Sequence, residues 1–142
     1  MTDAHPERMV MDHMRNLAID DLDDLILDMS NYQIFTEEAS TVVLSPRGTL
    51  VGGIVVWNLL PGQENDYHMH PESEHLMTVI EGELEFTLGT RRPEIVRPGQ
   101  MVVIPPTLPH GIRNVSDKRG SYVAVTNGGS YEKVLCQRPV FD

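Results

Sequence analysis

Hydrophobic and polar positions divide the chain into two parts with different periods. Between residues 19 and 29, five apolar residues recur at steps of three and four: Ile19, Leu22, Leu25, Ile26 and Met29. Such a stripe is typical of an amphipathic helix, with the intervening aspartates on its polar side. The first 15 residues show no apolar period and contain Pro6. Residues 1–30 are therefore predicted to be a mobile arm followed by a short acidic helix.

From residue 31 onward, helical periodicity is absent and short runs rich in Val, Ile, Thr, Tyr and Phe replace it. The runs are YQIFT, TVVL, LVGGIVVWNLL, HLMTVI, ELEFTL, EIV, MVVI, GIRNV, SYVAV and YEKVL. Segments rich in Gly and Pro, such as SPRG, RPG and PPTLP, separate them. Many short strands with such turns predict an antiparallel sandwich or barrel. We expect one all-β domain over residues 31–142, preceded by the short N-terminal helix.

Composition and charge narrow the class of partner. The chain has 142 residues, the size of one domain, and its 40% hydrophobic content is that of a globular protein. Lys plus Arg total 11 against 21 for Asp plus Glu, which gives a formal net charge of −10. Nucleic-acid binding needs a positive surface for phosphate contacts, so this class is disfavoured.

Membrane insertion and secretion are also disfavoured. No apolar stretch approaches the roughly 18 residues of a spanning helix, and the N-terminus lacks the apolar region of a signal peptide. Cys136 is the single cysteine and has no partner for an internal disulfide. A lone thiol fits a reducing compartment, and we expect a cytoplasmic protein.

Four of the six histidines fall in two compact patterns. In the first, GQENDYHMHPESEH, His68 and His70 are two residues apart and point to the same side of an extended strand. His75 is five residues beyond His70, and the intervening PESE supplies a turn that resets the strand register. In the second, GQMVVIPPTLPHGIRN, His110 follows a proline-rich bend. Four neutral nitrogen donors suit Zn, Cu, Fe or Ni, and Mn less well.

The spacing of both patterns resembles the metal-binding motifs of the cupin superfamily. The first motif of that family, G(x)5HxH(x)3–4E(x)6G, is matched in its intervals by Gly62, His68, His70, His75 and Gly82. The second motif is G(x)5PxG(x)2H(x)3N. Its intervals are matched by Gly99, Pro105, Thr107, His110 and Asn114, with threonine in place of the usual glycine.

The resemblance covers about residues 31–138 and implies a cupin β-barrel, a jelly roll also called a double-stranded β-helix. It implies a divalent metal ion held between the two motifs by His68, His70, His75 and His110. It further implies a small-molecule substrate inside the barrel. Cupins of this size commonly pair through their sheets, so a homodimer is expected, with residues 1–30 available to cross to the neighbour.

The main departure from the family pattern is His75, where most metal-binding cupins have glutamate. Glu74 is the alternative ligand, but it would leave seven residues instead of six before Gly82 and lie on the opposite face of the strand. We favour His75. Four histidines leave a divalent ion its full charge, which makes it a stronger Lewis acid than a carboxylate-ligated ion.

This site resembles the minority of cupins with histidine-only centres, which include oxygenases. The leading hypothesis is therefore a non-haem metal dioxygenase or related oxidoreductase, with iron favoured over Zn, Ni, Mn or Cu. One alternative is a Lewis-acid isomerase, lyase or cyclase acting on a carbonyl compound. Another is a non-enzymatic module that binds a small ligand or metal. No catalytic side chain beyond the ligands is identifiable, and Asn114 is expected to secure a turn.

Overall fold

Two stacked β-sheets form the barrel. A computed structural model describes residues 15–18, 26–44, 52–128 and 132–141, and within them eleven strands are numbered in chain order. The six-stranded sheet has the order β1 (Arg15–Ala18), β2 (Thr41–Leu44), β3 (Gly52–Leu59), β10 (Gly120–Asn127), β5 (Glu74–Glu81), β8 (Met101–Ile104). The five-stranded sheet has the order β11 (Val134–Leu135), β4 (Glu64–Met69), β9 (His110–Arg113), β6 (Leu84–Leu88), β7 (Glu94–Val96). The all-β prediction is confirmed.

The N-terminal part differs from the sequence prediction in detail. Most of the predicted helix falls on residues 19–25, outside the described residues, and residues 26–28 are not helical. A single 3-10 turn, Met29–Tyr32, follows, with the Asp28 carboxylate accepting from the Ser30 amide. Arg15–Ala18 form a strand that the pattern did not predict, and it pairs in parallel with β2.

The run YQIFT is not a strand, although its alternation favoured one. The Asn58 side-chain amide donates to the carbonyl oxygen of Tyr32. In a strand, this carbonyl would accept from a backbone amide of a neighbouring strand instead. Tyr32 itself packs on Val43 and Val56, on the outer side of the six-stranded sheet. Tertiary contacts override local strand propensity here.

The core between the sheets sets which side chains point inward. Trp57 and Tyr122 stack at 6.1 Å between ring centroids, and Phe86 packs edge-on against Tyr122. On β5, Met77 and Val79 are buried in this core. Since alternate strand residues share a face, the same inward row continues to His75. The packing of the core thus directs His75 into the barrel.

The ends of the two predicted motifs are joined by hydrogen bonds. The Gly62 amide donates to the Asn114 carbonyl at 2.8 Å, and the Asn114 amide donates to the Gln63 carbonyl at 2.9 Å. The Asn114 side chain donates to the backbone carbonyls of Leu59 and Lys118. Asn114 therefore secures a turn, as expected. No helix in the described ranges has the length and hydropathy that a bilayer crossing requires.

Candidate metal centre

Four buried histidines from both sheets meet inside the barrel. His68 lies on β4 and His70 directly follows it, while His110 begins β9 of the same sheet. His75 reaches the group from β5 of the opposite sheet. The ring centroids of His68 and His110 are 4.3 Å apart, and those of His70 and His75 are 4.2 Å apart. The structure thus brings together all four residues that the sequence singled out.

Three of these histidines form the tightest group. One ring nitrogen from each of His68, His70 and His110 lies within 4.8 Å of the others. His68 and His110 are register partners across β4 and β9, which fixes their separation. A group of this size and burial fits a divalent metal ion, because each neutral imidazole offers one lone pair.

Backbone carbonyls set the tautomer of these three rings. Nδ1 of His70 lies 3.1 Å from the Glu132 carbonyl, and Nδ1 of His110 lies 3.0 Å from the Leu108 carbonyl. Nδ1 of His68 bonds the Asp66 carbonyl in the same way. A carbonyl oxygen only accepts, so each Nδ1 donates its proton and Nε2 keeps a lone pair. This is the arrangement found around metal-binding histidines.

The Nε2 atom of His110 is buried and has no hydrogen-bond partner. A buried polar atom without a hydrogen-bond partner costs about 1–3 kcal/mol, so an unpartnered Nε2 at this position indicates a binding site for a ligand. A metal ion bound between the rings would satisfy this atom. The donor set therefore fits the divalent ion that the spacing predicts.

Burial keeps His68 and His110 neutral. Burial lowers the pKa of His110 to about 3, the Leu108 hydrogen bond opposes this shift, and repulsion from Lys133 and from His70, when His70 is protonated, adds to it. Burial also lowers the pKa of His68 well below its usual range, and Lys133 adds to that effect. Neutral imidazole is the form that binds a metal, so the site needs no deprotonation at neutral pH.

The pKa of His110 predicts how stability depends on pH in metal-free protein. The unfolded chain takes up a proton near pH 6.5, whereas the folded His110 does so only near pH 3. Stability conferred by the neutral ring is therefore complete above pH 6.5 and is lost as pH falls toward 3. Between pH 7 and pH 5, chelator-treated protein should lose about 1–2 kcal/mol in urea unfolding. An unchanged unfolding free energy over this range would contradict the prediction.

His75 and Glu74 point in opposite directions. Nδ1 of His75 lies 3.0 Å from the Thr126 hydroxyl, and its ring centroid is 5.9 Å from that of His110. The Glu74 carboxylate is exposed and accepts from the Asn127 amide at 3.0 Å. The Glu74 side chain is therefore directed away from His68, His70 and His110, which supports His75 as the fourth candidate ligand.

Thr107 occupies the position where the family pattern has glycine, and its backbone has φ 71°. This left-handed conformation is strained for a β-branched residue. The Thr107 amide donates to the His70 carbonyl at 2.8 Å, so the strained turn is tied to a histidine of the cluster.

Replacing Thr107 with glycine is expected to stabilise the protein by up to about 1 kcal/mol. Relief of left-handed strain outweighs the greater entropy that glycine gives the unfolded chain. The midpoint of urea unfolding measures this, with Thr90→Gly as a control at an exposed turn position that has no positive φ. A loss of stability in Thr107→Gly would contradict the strain argument.

Sequence reasoning missed two polar residues beside the histidines. Lys133 is buried, with 8% of its surface exposed, and its ammonium donates to the Asn65 side-chain oxygen at 3.3 Å. Asn65 is 2% exposed. The run YEKVL contains two adjacent charged residues, Glu132 and Lys133, and nothing in its pattern singles out Lys133, which immediately precedes the short strand β11.

A family model for the cupin domain matches residues 55–126, just over half of the chain. A conserved protein of Klebsiella pneumoniae with a double-stranded β-helix domain is 25% identical, with a TM-score of 0.74 over 81% of this chain and 99% of that one. A Thermus thermophilus protein is 24% identical, with a TM-score of 0.65 over 72% and 96%. A recombinant oxalate oxidase is 22% identical, with a TM-score of 0.63 over 80% and 67%. No curated protein matches the sequence.

Proposed function

Because this chain belongs to the cupin family, we propose that it is a metal-dependent enzyme acting on a small organic molecule inside the barrel. The proposed ligands are His68, His70, His110 and His75, and the favoured ion is divalent iron. The observation that carries the proposal is the buried cluster of neutral imidazoles with Nδ1 held by backbone carbonyls. Within this family, the finer proposal is a non-haem dioxygenase or related oxidoreductase.

The donor set supports this choice. The Glu74 carboxylate is turned outward, so the residues that the first motif contributes to the cluster are histidines. Imidazole donors suit Fe, Zn, Ni and Cu, and a three- or four-histidine set leaves coordination positions for other ligands. An iron ion bound there would supply open positions for substrate and O2. The apolar walls built by Trp57, Phe86 and Ile104 would exclude water from the reacting groups.

A Lewis-acid isomerase, lyase or cyclase is the second candidate. It uses the same ligands with zinc or nickel and consumes no O2. The histidine ligands favour Lewis-acid chemistry as much as oxygenase chemistry, because an ion without carboxylate ligands keeps its full positive charge. The non-enzymatic alternative, a ligand- or metal-binding module, predicts metal binding without turnover.

Metal content and oxygen uptake separate these candidates. Protein purified without chelators or a His-tag is analysed by elemental mass spectrometry, beside His68→Ala and the control His13→Ala, which lies outside both motifs. Iron bound near one per chain, absent in His68→Ala, with Fe(II)-dependent oxygen uptake on β-diketones, catechols or thiols, supports the oxygenase. Bound zinc or nickel without oxygen uptake supports the Lewis acid. No metal after reconstitution would overturn both.

We also propose that two copies pair through the outer face of the six-stranded sheet. Ile54, Val125, Leu76 and Val103 are neighbours in strand register and form an apolar row, each between 37% and 62% exposed. A cleft of about 310 Å³ opens along this row. Contiguous exposed apolar surface is typical of a protein interface.

Light scattering after size exclusion tests this pairing. The expected particle is twice the 16.0 kDa chain mass. Val103→Glu should shift it to the monomer, whereas Val140→Glu, exposed but outside the row, should not. A wild-type particle of one chain mass would reject the homodimer. We further propose a cytoplasmic location, where the lone Cys136 thiol and divalent iron both persist.

A further inference from the structure

Ser73 lies at the end of the barrel that holds the histidines. It belongs to the segment that leaves β4 in the five-stranded sheet and enters β5 in the six-stranded sheet. His68 and His110, which pair across β4 and β9 beyond a β-bulge in β4, lie at the same end. Ser73 follows His70 by three residues and precedes His75 by two, and the rings of these two histidines are 4.2 Å apart.

The Ser73 side chain continues the inward row of β5. Ser73 is 1% exposed, and His75 and Met77, the next residues of the row, are each 2% exposed. Glu74 and Leu76, which lie between them in sequence, are exposed. Since successive side chains of an extended strand alternate between its faces, the Ser73 hydroxyl points into the same interior as the His75 ring. Two residues of extended chain span about 7 Å, so this hydroxyl lies beside the histidines, on the side away from Met77.

The Ser73 hydroxyl is a buried polar group without a hydrogen bond. Within the described ranges its oxygen has no hydrogen-bond partner, as is also true of Nε2 of His110. A buried hydroxyl without a partner is destabilising, so its presence indicates a bound molecule that completes the hydrogen bond. The proposed ion would satisfy His110 but not Ser73, because thiolates, imidazoles and carboxylates are the side chains that bind such ions. The partner of Ser73 is therefore expected to be something other than the ion.

We propose that the Ser73 hydroxyl donates a hydrogen bond to an oxygen atom of the molecule that binds the ion. The inference rests on the proposed metal-dependent function, because the ion is expected to hold that molecule. A hydroxyl has one proton to donate, and its hydrogen bond to an ionised oxygen is about twice as strong as one to a neutral group. Ser73 is thus a specificity-determining residue that favours ligands with an ionised oxygen, such as an enolate or hydroxamate, over ligands that bind through nitrogen.

Acetohydroxamate and imidazole test this preference on zinc-loaded protein. Acetohydroxamate chelates zinc through two oxygens, one of them ionised, whereas imidazole binds through one nitrogen and has no oxygen. Isothermal calorimetry measures both affinities in wild type, Ser73→Ala and the control Ser40→Ala. Ser40 is also a buried serine, 4% exposed, but its hydroxyl donates to the Glu64 carbonyl at 3.0 Å. It precedes β2 at the end of the six-stranded sheet away from the histidines.

We expect acetohydroxamate to bind Ser73→Ala about tenfold more weakly than wild type, with imidazole affinity nearly unchanged. Ser40→Ala should match wild type for both ligands. Equal acetohydroxamate affinity in wild type and Ser73→Ala would overturn the proposal, as would no acetohydroxamate binding to zinc-loaded wild type. An equal loss of imidazole affinity in Ser73→Ala would also overturn it, since Ser73 would then support the ion and not a ligand oxygen.

Stability gives a second readout, which a structural hydroxyl would move in the opposite direction. In chelator-treated protein without ligand, removing a hydroxyl that has no partner should leave the midpoint of urea unfolding unchanged or raise it. Ser40→Ala loses a hydrogen bond and should lower the midpoint. A lower midpoint in Ser73→Ala than in wild type, or failure of that variant to fold, would show a structural role for the hydroxyl and overturn the proposal.

Zinc content, measured on the same samples, separates this inference from the proposed function. Wild-type protein that holds no zinc after reconstitution would overturn both. Zinc bound near one per chain by wild type and by Ser73→Ala, with equal acetohydroxamate affinity, would overturn the role of Ser73 alone and leave the metal site standing.

Discussion

Replacing His110 with alanine is expected to abolish metal binding. The ring has no exposed surface, one nitrogen is held by the Leu108 carbonyl, and the other has no hydrogen-bond partner and lies near those of His68 and His70. Removing it takes away one of three donors that already face one another. Metal content should fall from near one per chain to background.

The same change should remove the stabilisation that metal confers. Wild-type protein with metal at 100 times its dissociation constant gains about 2.7 kcal/mol, whereas the variant should gain none. Thermal unfolding with and without a chelator measures this difference and cancels the cost of the cavity left by the ring. Wild-type metal content in His110→Ala would refute the site as described.

His75→Ala is expected to weaken metal binding without abolishing it. His75 lies outside the group of three whose ligand atoms are mutually within 4.8 Å, and its Nδ1 is held by Thr126. Metal supplied in excess should therefore still bind the variant. A competing chelator that is too weak to remove metal from the wild-type protein should remove it from the variant. Glu74→Ala serves as the control, because that carboxylate is exposed. Glu74→Ala losing more metal than His75→Ala would reverse the assignment.

Replacing Gly82 with alanine is expected to destabilise the fold by about 4 kcal/mol or more. Gly82 has φ 74°, in the turn between β5 and β6. An added Cβ would lie 2.4 Å from the Arg119 carbonyl oxygen and 3.0 Å from the Gly120 Cα, both backbone atoms that cannot move aside. Left-handed strain alone costs about 1–2 kcal/mol, and the collision adds to it.

Gly99→Ala is the matched control for this effect. Gly99 also has a positive φ, 98°, but nothing lies within 4 Å of the position its Cβ would take. Its substitution should cost only the strain, about 1–2 kcal/mol. Urea unfolding followed by circular dichroism compares the two variants. Equal losses would show that conformational strain, and not the close approach of Arg119, explains the final glycine of the first motif.

The sequence predicted the β-class and the cupin fold well, because both depend on local information. Strands such as TVVL and MVVI coincide with β2 and β8, since a buried strand repeats every two residues whatever surrounds it. The intervals between histidines and glycines likewise record where each strand ends and turns. His75 was expected to converge with His70 through a turn, and their rings do lie 4.2 Å apart.

Prediction was weaker wherever distant contacts decide the local structure. The run YQIFT alternates like a strand, yet the Asn58 side chain donates to the Tyr32 carbonyl oxygen, and the Tyr32 ring packs on Val43 and Val56. Arg15–Ala18 pair with β2, which lies more than 20 residues later in the chain. Four residues are too few to show a periodicity that would predict this strand. The role of Asn114 was predicted, because side chains of its type commonly bond nearby backbone in turns.

The sequence alone determined the family, the four histidines and their spacing, because strand period and motif length are properties of neighbouring residues. Only the tertiary structure decided that His68, His70 and His110 form the tight group, that Glu74 turns outward, and that Lys133 enters the same interior. These outcomes follow from the pairing of β4, β9 and β11 and from the bulge in β4. Distance and burial arise from pairing between segments far apart in sequence, so no pattern along the chain contains them.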